Sequence, residues 1–153
     1  MRAAAAVVSR RDGVVKRRYA SHVRHIGSVH RIYESWYVAD LPRIVADVDE
    51  GIEVDHRDVL PYSGHYRGRE AYLDLLNRLV SDFPVLDIAP RDFTAGEGFV
   101  LVTGRYFGAG TSGLVDADFL HLWHLSDGRP VRLGTYRTVD EAWQAVDDYD
   151  LGD

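Results

Sequence analysis

Histidine is the side chain in this sequence best suited to acid–base chemistry near neutral pH, because its ordinary pKa is about 6.5. The chain has 153 residues, with seven histidines and no cysteine. Without cysteine, disulfide bonds, thiolate zinc sites, iron–sulfur clusters and cysteine nucleophiles are excluded. Any catalysis must therefore use His, Asp, Glu, Tyr, Ser or Thr side chains.

Two of the histidines lie in a strand predicted over residues 114–125. Because side chains alternate along a strand, one face is expected to carry Phe119, His121, Trp123 and Leu125, and the other Leu120, Leu122 and His124. The two histidines then point to opposite sides of the sheet, so they cannot share a metal ion. With no HxxxH or HxH spacing elsewhere, no metal site is expected.

The face that carries His121 is a candidate pocket wall. A hairpin turn at Asp127–Gly128 predicts that residue 121 lies opposite residue 135, and residue 123 opposite residue 133. Aromatic walls and Leu133 would surround the imidazole, and burial there would lower its pKa and keep it neutral. The alternative is a structural histidine that is hydrogen-bonded to Thr135 or to a backbone carbonyl.

His56 ends a short strand predicted over residues 52–56 and could supply a second group. Asp55 is its neighbour on the strand, so the two side chains must point to opposite faces. If His56 faces the pocket, it can act as a base. The alternative is an ordinary solvated histidine at a strand end.

The remaining pattern predicts the elements that position these residues. Val29, Ile32, Tyr33, Trp36 and Tyr37 follow helical spacing, and two further helices are expected after Asp40 and over residues 72–83. A glycine- and tyrosine-rich loop is expected over residues 61–68. Four strand candidates follow, over residues 85–93, 99–107, 114–125 and 130–137, and a capping box at Thr138 and Glu141 begins a last helix. The predicted class is α+β, a curved antiparallel sheet wrapped around three helices with a closing C-terminal helix.

Several motifs resemble the cone-shaped superfamily of nuclear transport factor 2. They are WYVAD at residues 36–40 and GHYRGREA at residues 64–71. LHLW at residues 120–123, followed by DGR at residues 127–129, resembles the SnoaL-like polyketide cyclases and their ketosteroid isomerase relatives. The resemblance covers about residues 28–147.

The resemblance also assigns expected roles. It places His56 at the position of the isomerase general base and His121 at that of an acidic oxyanion donor, and both are expected to be catalytic. The second oxyanion donor position falls on Ile32, beside Tyr33, and the cyclase acid/base aspartate position falls on Thr135. The residues expected to bind substrate are Tyr33, Trp36, Tyr37, Phe119, Trp123, Leu133 and Thr135.

The expected function is therefore a cofactor-independent isomerase, dehydratase or cyclase acting on an apolar, aromatic or polycyclic carbonyl compound. Two alternatives stay open. One is a non-catalytic module that binds a small molecule or dimerises, and the other is an epoxide hydrolase, which would need carboxylates that face the cavity to activate water.

Charge is distributed unevenly along the chain. Residues 1–27 hold seven basic residues and one acidic residue, whereas the whole chain has a net charge of −6. We expect residues 1–27 to form a basic, disordered arm and residues 28–153 to form the SnoaL-like domain. The acidic body disfavours nucleic acid and anionic membranes as partners. A soluble, cytoplasmic homodimer is expected, with Leu120 and Leu122 on an apolar outer sheet face.

Overall fold

The computed structural model describes residues 13–111 and 113–152, and it confirms the α+β class. Within these residues the helices are α1 (Gly13–Tyr37), α2 (Leu41–Ala46), α3 (Arg69–Asp82) and α4 (Val139–Gly152). The strands are β1 (Glu53–His56), β2 (Gly64–Arg67), β3 (Val85–Gly96), β4 (Phe99–Gly110), β5 (Gly113–Ser126) and β6 (Arg129–Tyr136). No helix in the described part of the chain is long and apolar enough to cross a membrane.

The sheet brings the two candidate histidines onto one row. Its order is β2-β1-β6-β5-β4-β3, in which β3 to β6 form an antiparallel meander and β1 runs parallel to β6. Thr135 on β6 pairs with His56 on β1 and with His121 on β5. Paired residues of neighbouring strands share a face, so the three side chains lie side by side. The predicted pairings of residue 121 with 135 and of 123 with 133 are confirmed.

A turn with left-handed backbone and a register shift beside it set this pairing. Asp127 and Gly128 have φ values of 52° and 77°, which is the conformation of the two-residue turns that join twisted antiparallel strands. Glycine adopts it without strain and aspartate tolerates it. The turn pairs Ser126 with Arg129, and a register shift between His124 and Leu125 then brings His121 opposite Thr135.

Helices α1, α2 and α3 pack on the inner face, which is the sheet face that carries Phe119, His121 and Trp123. The apolar stripe of α1, including Val29 and Ile32, joins residues of α2, α3 and the sheet in the main hydrophobic cluster. Fully burying a large apolar side chain contributes about 1.5–3 kcal/mol, so this cluster provides much of the driving force for folding.

The outer face of the sheet is covered by α4. Leu122 is 1% exposed and packs with Leu101, Tyr136 and two α4 residues, Ala142 and Val146. The predicted capping box begins this helix, because Thr138 Oγ1 accepts from the Glu141 N–H at 3.1 Å and Glu141 Oε1 accepts from the Thr138 N–H at 3.0 Å.

This covering corrects one argument made from the sequence. The expected homodimer rested on an exposed apolar outer face that includes Leu120 and Leu122. Leu122 is instead covered by a helix of its own chain, and Leu120 is half-buried against the same cluster. A homodimer stays a prediction without that support.

Two further elements differ from the sequence prediction. Residues 64–67, expected to be loop, form the short edge strand β2, paired antiparallel to β1. Its side chains are mostly exposed, so it lacks the alternation of apolar residues that marks a strand in a sequence. Helix α1 begins at Gly13, inside the segment expected to be disordered, and residues 1–12 of that segment lie outside the described residues.

Candidate active site

A small apolar cavity lies between the inner face of the sheet and helices α1 to α3. Its volume is about 60 Å³. Apolar side chains form most of its wall, among them Val54, Leu75, Leu79, Ile88 and Leu133. His56, His121 and Thr135 contribute the polar part on the sheet side. Engineered cavities of about 150 Å³ bind benzene, so this cavity suits a smaller molecule.

The His121 imidazole is held between two tyrosine hydroxyls. Tyr33 Oη lies 2.7 Å from Nδ1, and Tyr106 Oη lies 2.6 Å from Nε2. Trp123 Nε1–H donates to Tyr33 Oη at 2.9 Å, and Tyr106 Oη–H donates to the carboxylate of Asp58. Five side chains from α1, β4, β5 and the loop after β1 are thereby connected, and we call them the inner hydrogen-bond chain.

The donors and acceptors of the chain follow from these contacts. Tyr106 gives its single proton to Asp58, so its oxygen must accept from His121 Nε2–H. The neutral imidazole then has a lone pair at Nδ1, which accepts from Tyr33 Oη–H, while the Tyr33 oxygen accepts from Trp123. Every bond in the chain therefore runs in one direction, towards the carboxylate.

Burial sets the protonation of the chain. Desolvation, with a smaller contribution from His56, lowers the pKa of His121 from 6.5 to about 3, so the ring is neutral at pH 7. Burial likewise raises the pKa of Tyr33 and Tyr106 well above 10, and for Tyr106 the Asp58 carboxylate adds to the effect. The lowered pKa has the direction and the cause expected from the sequence.

His121 is also fixed by ring stacking. The Phe119 ring stacks on it with a centroid distance of 4.0 Å. This stacking needs the glycine at position 104 of β4, because a Cβ there would come within 2.5 Å of the Phe119 ring. The imidazole is thus held at both nitrogens and on one face.

His56 has equally specific partners. Its Nε2 lies 3.0 Å from the carbonyl oxygen of Pro61, which can only accept, so Nε2 carries the proton. Its Nδ1 is then the acceptor, and it lies 2.9 Å from Thr135 Oγ1. The same Thr135 oxygen accepts from the Arg57 N–H at 3.0 Å. As expected, Asp55 points away from His56, since it lines a polar cleft with Tyr136 beside α4.

Asp58 lies behind both histidines and was not predicted. It is 4% exposed, with Oδ1 3.8 Å from His56 Nδ1 and Oδ2 4.0 Å from His121 Nε2. Oδ1 also accepts from the Leu60 N–H at 3.0 Å, which is the local turn that aspartate favours. That turn was the only sequence signal, and it does not show that the carboxylate points inward.

Tyr106 and Tyr72 are two hydroxyl-bearing residues of the cavity wall that were not predicted as site residues. A signal for Tyr106 existed, because it shares the period-two pattern of the buried residues Val100 and Val102 on β4. Tyr72 was included only as the first residue of the helix predicted over residues 72–83.

The residues expected to bind substrate divide into three groups. Five of them line the cavity: Tyr33, Trp36, Trp123, Leu133 and Thr135. Phe119 lies behind His121 rather than at the cavity wall. Tyr37 is 87% exposed and lies in an outer cleft of about 590 Å³ that shares Tyr33, Trp36 and Ile88 with the cavity. Tyr37 therefore does not line the cavity, because α1 turns its side chain towards solvent.

In residues 13–111 and 113–152, no group of three or more His, Asp or Glu side chains has an arrangement that could hold a metal ion.

Comparison with known proteins places the chain in a family. Residues 29–133, more than half of the chain, match the model of the SnoaL-like domain. The chain therefore belongs to the SnoaL-like family, within the nuclear transport factor 2-like fold. A comparison with curated proteins gives no match.

Solved structures of the same fold are similar over most of their length. Bal32a, from a soil-derived mobile gene cassette, has a TM-score of 0.71 at 16% identity over 80% of this chain and 95% of its own. TerC, co-crystallised with polyporic acid, has a TM-score of 0.68 at 19% identity over 79% and 96%. A candidate polyketide cyclase from Xanthomonas campestris pv. campestris has a TM-score of 0.65 at 20% identity over 82% and 97%.

Proposed function

We propose that the chain is a cofactor-independent acid–base enzyme of the isomerase, dehydratase or cyclase type, acting on an apolar carbonyl compound. The observation that carries the proposal is the hydrogen bond of 2.9 Å between Thr135 Oγ1 and His56 Nδ1 at the wall of an apolar cavity. A hydroxyl beside an oriented base is a common arrangement for proton transfer.

His56 is the proton acceptor in this proposal. Its Nε2–H is held by Pro61, so the lone pair of Nδ1 is directed at Thr135. A proton leaving the carbon next to the carbonyl group reaches Thr135 Oγ1 while the Thr135 proton moves to Nδ1. The imidazolium that forms has the Asp58 carboxylate 3.8 Å from Nδ1, which stabilises its charge.

His121 acts through the tyrosines rather than on the substrate. The sequence analysis expected it to donate directly to the developing enolate oxygen, but its Nε2–H is directed at Tyr106 and its Nδ1 accepts from Tyr33. In the proposal it is a positioning residue that fixes the Tyr33 and Tyr106 rings in the cavity wall.

The ligand is proposed to be small or to react at one small end. A cavity of about 60 Å³ cannot enclose a polycyclic skeleton, so a larger compound would need its remainder in the outer cleft beside Tyr37. Trp36, Trp123 and Leu133 would contact the apolar part. The polyporic acid co-crystallised with TerC supports an organic ligand for this fold.

One observation favours the alternative of a binding module without chemistry. All four ring nitrogens of His56 and His121 have protein partners, as they would in a purely structural network. A binding module without chemistry would not accelerate proton exchange on its ligand.

The test is deuterium exchange at the carbons next to the carbonyl group of butanone, followed by proton NMR in D₂O at neutral pH. We expect the protein to accelerate exchange over buffer, and the variant His56→Ala to lose a factor of about 10² to 10⁴. His65→Ala is the matched control, because His65 is an exposed β2 histidine paired with Glu53. Exchange at the rate of buffer alone would reject the proposed enzymatic function and favour the binding module.

A further inference from the structure

Tyr72 of α3 places an unpartnered hydroxyl in the cavity. The residue is 4% exposed and lines the cavity wall opposite the sheet. Among the described residues, no hydrogen-bond partner is found for its Oη. The other polar groups of the wall are occupied, because Tyr33, Tyr106, Thr135 and both histidines bond to protein atoms, and Trp36 Nε1–H donates to the Leu86 carbonyl at 2.9 Å.

A hydroxyl of a cavity-lining residue that has no protein partner needs an explanation. Buried polar groups are nearly always hydrogen-bonded, and phenylalanine would supply the same apolar contacts without the cost of desolvating an oxygen. The tyrosine at this position therefore indicates that its hydroxyl meets a group other than a protein atom.

The position and state of this hydroxyl suit a ligand donor. Burial raises the pKa of Tyr72, so the phenol keeps its proton at neutral pH. Tyr72 also contributes to the raised pKa of both Tyr33 and Tyr106, which places its phenol close enough to interact with the end of the cavity where the inner hydrogen-bond chain lies.

We propose that Tyr72 Oη–H is the group that binds the ligand's oxygen, and that the ligand of this cavity is a neutral carbonyl compound. The hydroxyl protons of Tyr33 and Tyr106 are committed to His121 and Asp58, so Tyr72 is the phenol left to donate. The ligand atom must then be an acceptor. A carboxylate is disfavoured, because its charge would be buried among apolar side chains beside Asp58.

This inference rests on the proposed function, since both place the ligand in the same cavity, and it adds the donor that the proton-transfer step lacks. As the carbon loses its proton to the Thr135–His56 pair, negative charge develops on the carbonyl oxygen. The hydrogen bond from Tyr72 strengthens as that charge grows.

The test uses two probes of the same shape, butanone and 2-methyl-1-butene, in which a CH₂ group replaces the oxygen. Their dissociation constants are measured by NMR titration of the wild-type protein, Tyr72→Phe and the control Tyr136→Phe. Tyr136 is a buried tyrosine on the outer face, so its variant removes a hydroxyl away from the cavity.

We expect Tyr72→Phe to weaken butanone binding about tenfold, as for the loss of one hydrogen bond, and to leave 2-methyl-1-butene binding unchanged. The unchanged alkene affinity also reports that the cavity is intact. Tyr136→Phe should change neither affinity. The inference would be overturned if Tyr72→Phe preferred butanone over the alkene as strongly as the wild type does. It would also be overturned if the wild type did not bind butanone.

The results separate this inference from the proposed function. If Tyr72→Phe loses the preference for butanone but the wild type does not accelerate deuterium exchange, Tyr72 is supported as the ligand donor and the proposed enzymatic function is rejected. If exchange depends on His56 but Tyr72→Phe keeps the preference for butanone, the enzymatic function is supported and the role of Tyr72 is rejected.

Discussion

The two faces of strand β5 are both buried but are organised differently. On the outer face, Leu122 packs closely against Ala142 and Val146 of α4. On the inner face, His121 belongs to a chain of hydrogen bonds that borders a cavity. The outer face also buries a histidine, because His124 is 3% exposed and stacks on Tyr149 of α4. What distinguishes the inner face is that its polar groups border an apolar cavity, an arrangement that is common at functional sites.

The largest expected effect is the loss of stability that His121 on the inner face causes in acid. Because the folded pKa of His121 is about 3 and its unfolded value is about 6.5, the unfolded chain binds the extra proton between these values. The folded state should thus lose up to about 5 kcal/mol as the pH falls from 6.5 to 3. The free energy of unfolding, measured with urea at several pH values, should fall less steeply with decreasing pH in His121→Gln, by about 1.4 kcal/mol per pH unit. If the free energy of unfolding has the same pH dependence in the variant and the wild type, His121 is accessible to protons in the folded protein.

The outer face should respond to loss of volume. Leu122→Ala removes a side chain that is 1% exposed and should lower the free energy of unfolding by about 2–5 kcal/mol. Butanone affinity should not change, because α4 and the cavity lie on opposite sides of the sheet. Leu114→Ala, at a β5 residue that is 80% exposed, should cost about 0.5 kcal/mol or less. A large loss of butanone affinity in Leu122→Ala would show that the two faces are not independent.

Removal of a single hydroxyl oxygen on the inner face should lower the free energy of unfolding. Tyr33→Phe removes the acceptor of Trp123 Nε1–H and the donor to His121 Nδ1, so it should cost about 1–3 kcal/mol in chemical denaturation. The control is Tyr37→Phe on the exposed side of the same helix. If both variants have the same stability as the wild type, the inner hydrogen-bond chain is not formed in solution.

The smallest expected effect concerns the start of α4. Thr138→Ala removes the hydroxyl that accepts from the Glu141 N–H, and it should cost about 1 kcal/mol in thermal or urea unfolding. Butanone binding should be unchanged. A loss of binding in this variant would indicate that α4 influences the cavity across the sheet.

Much of this arrangement is predictable because it depends on local pattern. Strand alternation predicts that Phe119, His121 and Trp123 share a face, and the Asp127–Gly128 turn predicts that β5 and β6 form a hairpin, in which a register shift beside the turn brings His121 opposite Thr135. Helical spacing predicts the stripe of α1 that meets them. In these cases the information lies within a few residues of the sequence.

The missed residues depend on tertiary packing instead. Asp58 lies in an irregular loop without periodicity, so only the folded chain shows its carboxylate between two histidines. Tyr72 has the spacing of a core residue, and whether its hydroxyl finds a partner depends on what lies across the cavity. The covering of Leu122 by α4 is similar, because helix spacing does not reveal which sheet face a helix will occupy.

The proposed proton path runs from the cavity through Thr135 to His56. The rate of butanone deuterium exchange in Thr135→Val and Thr135→Ser tests this path, with urea unfolding used to check that both variants fold. We expect Thr135→Val, which lacks the hydroxyl, to lose a factor of about 10² or more, and Thr135→Ser to stay within about tenfold of the wild type. Exchange by Thr135→Val at the wild-type rate would contradict the proposed path.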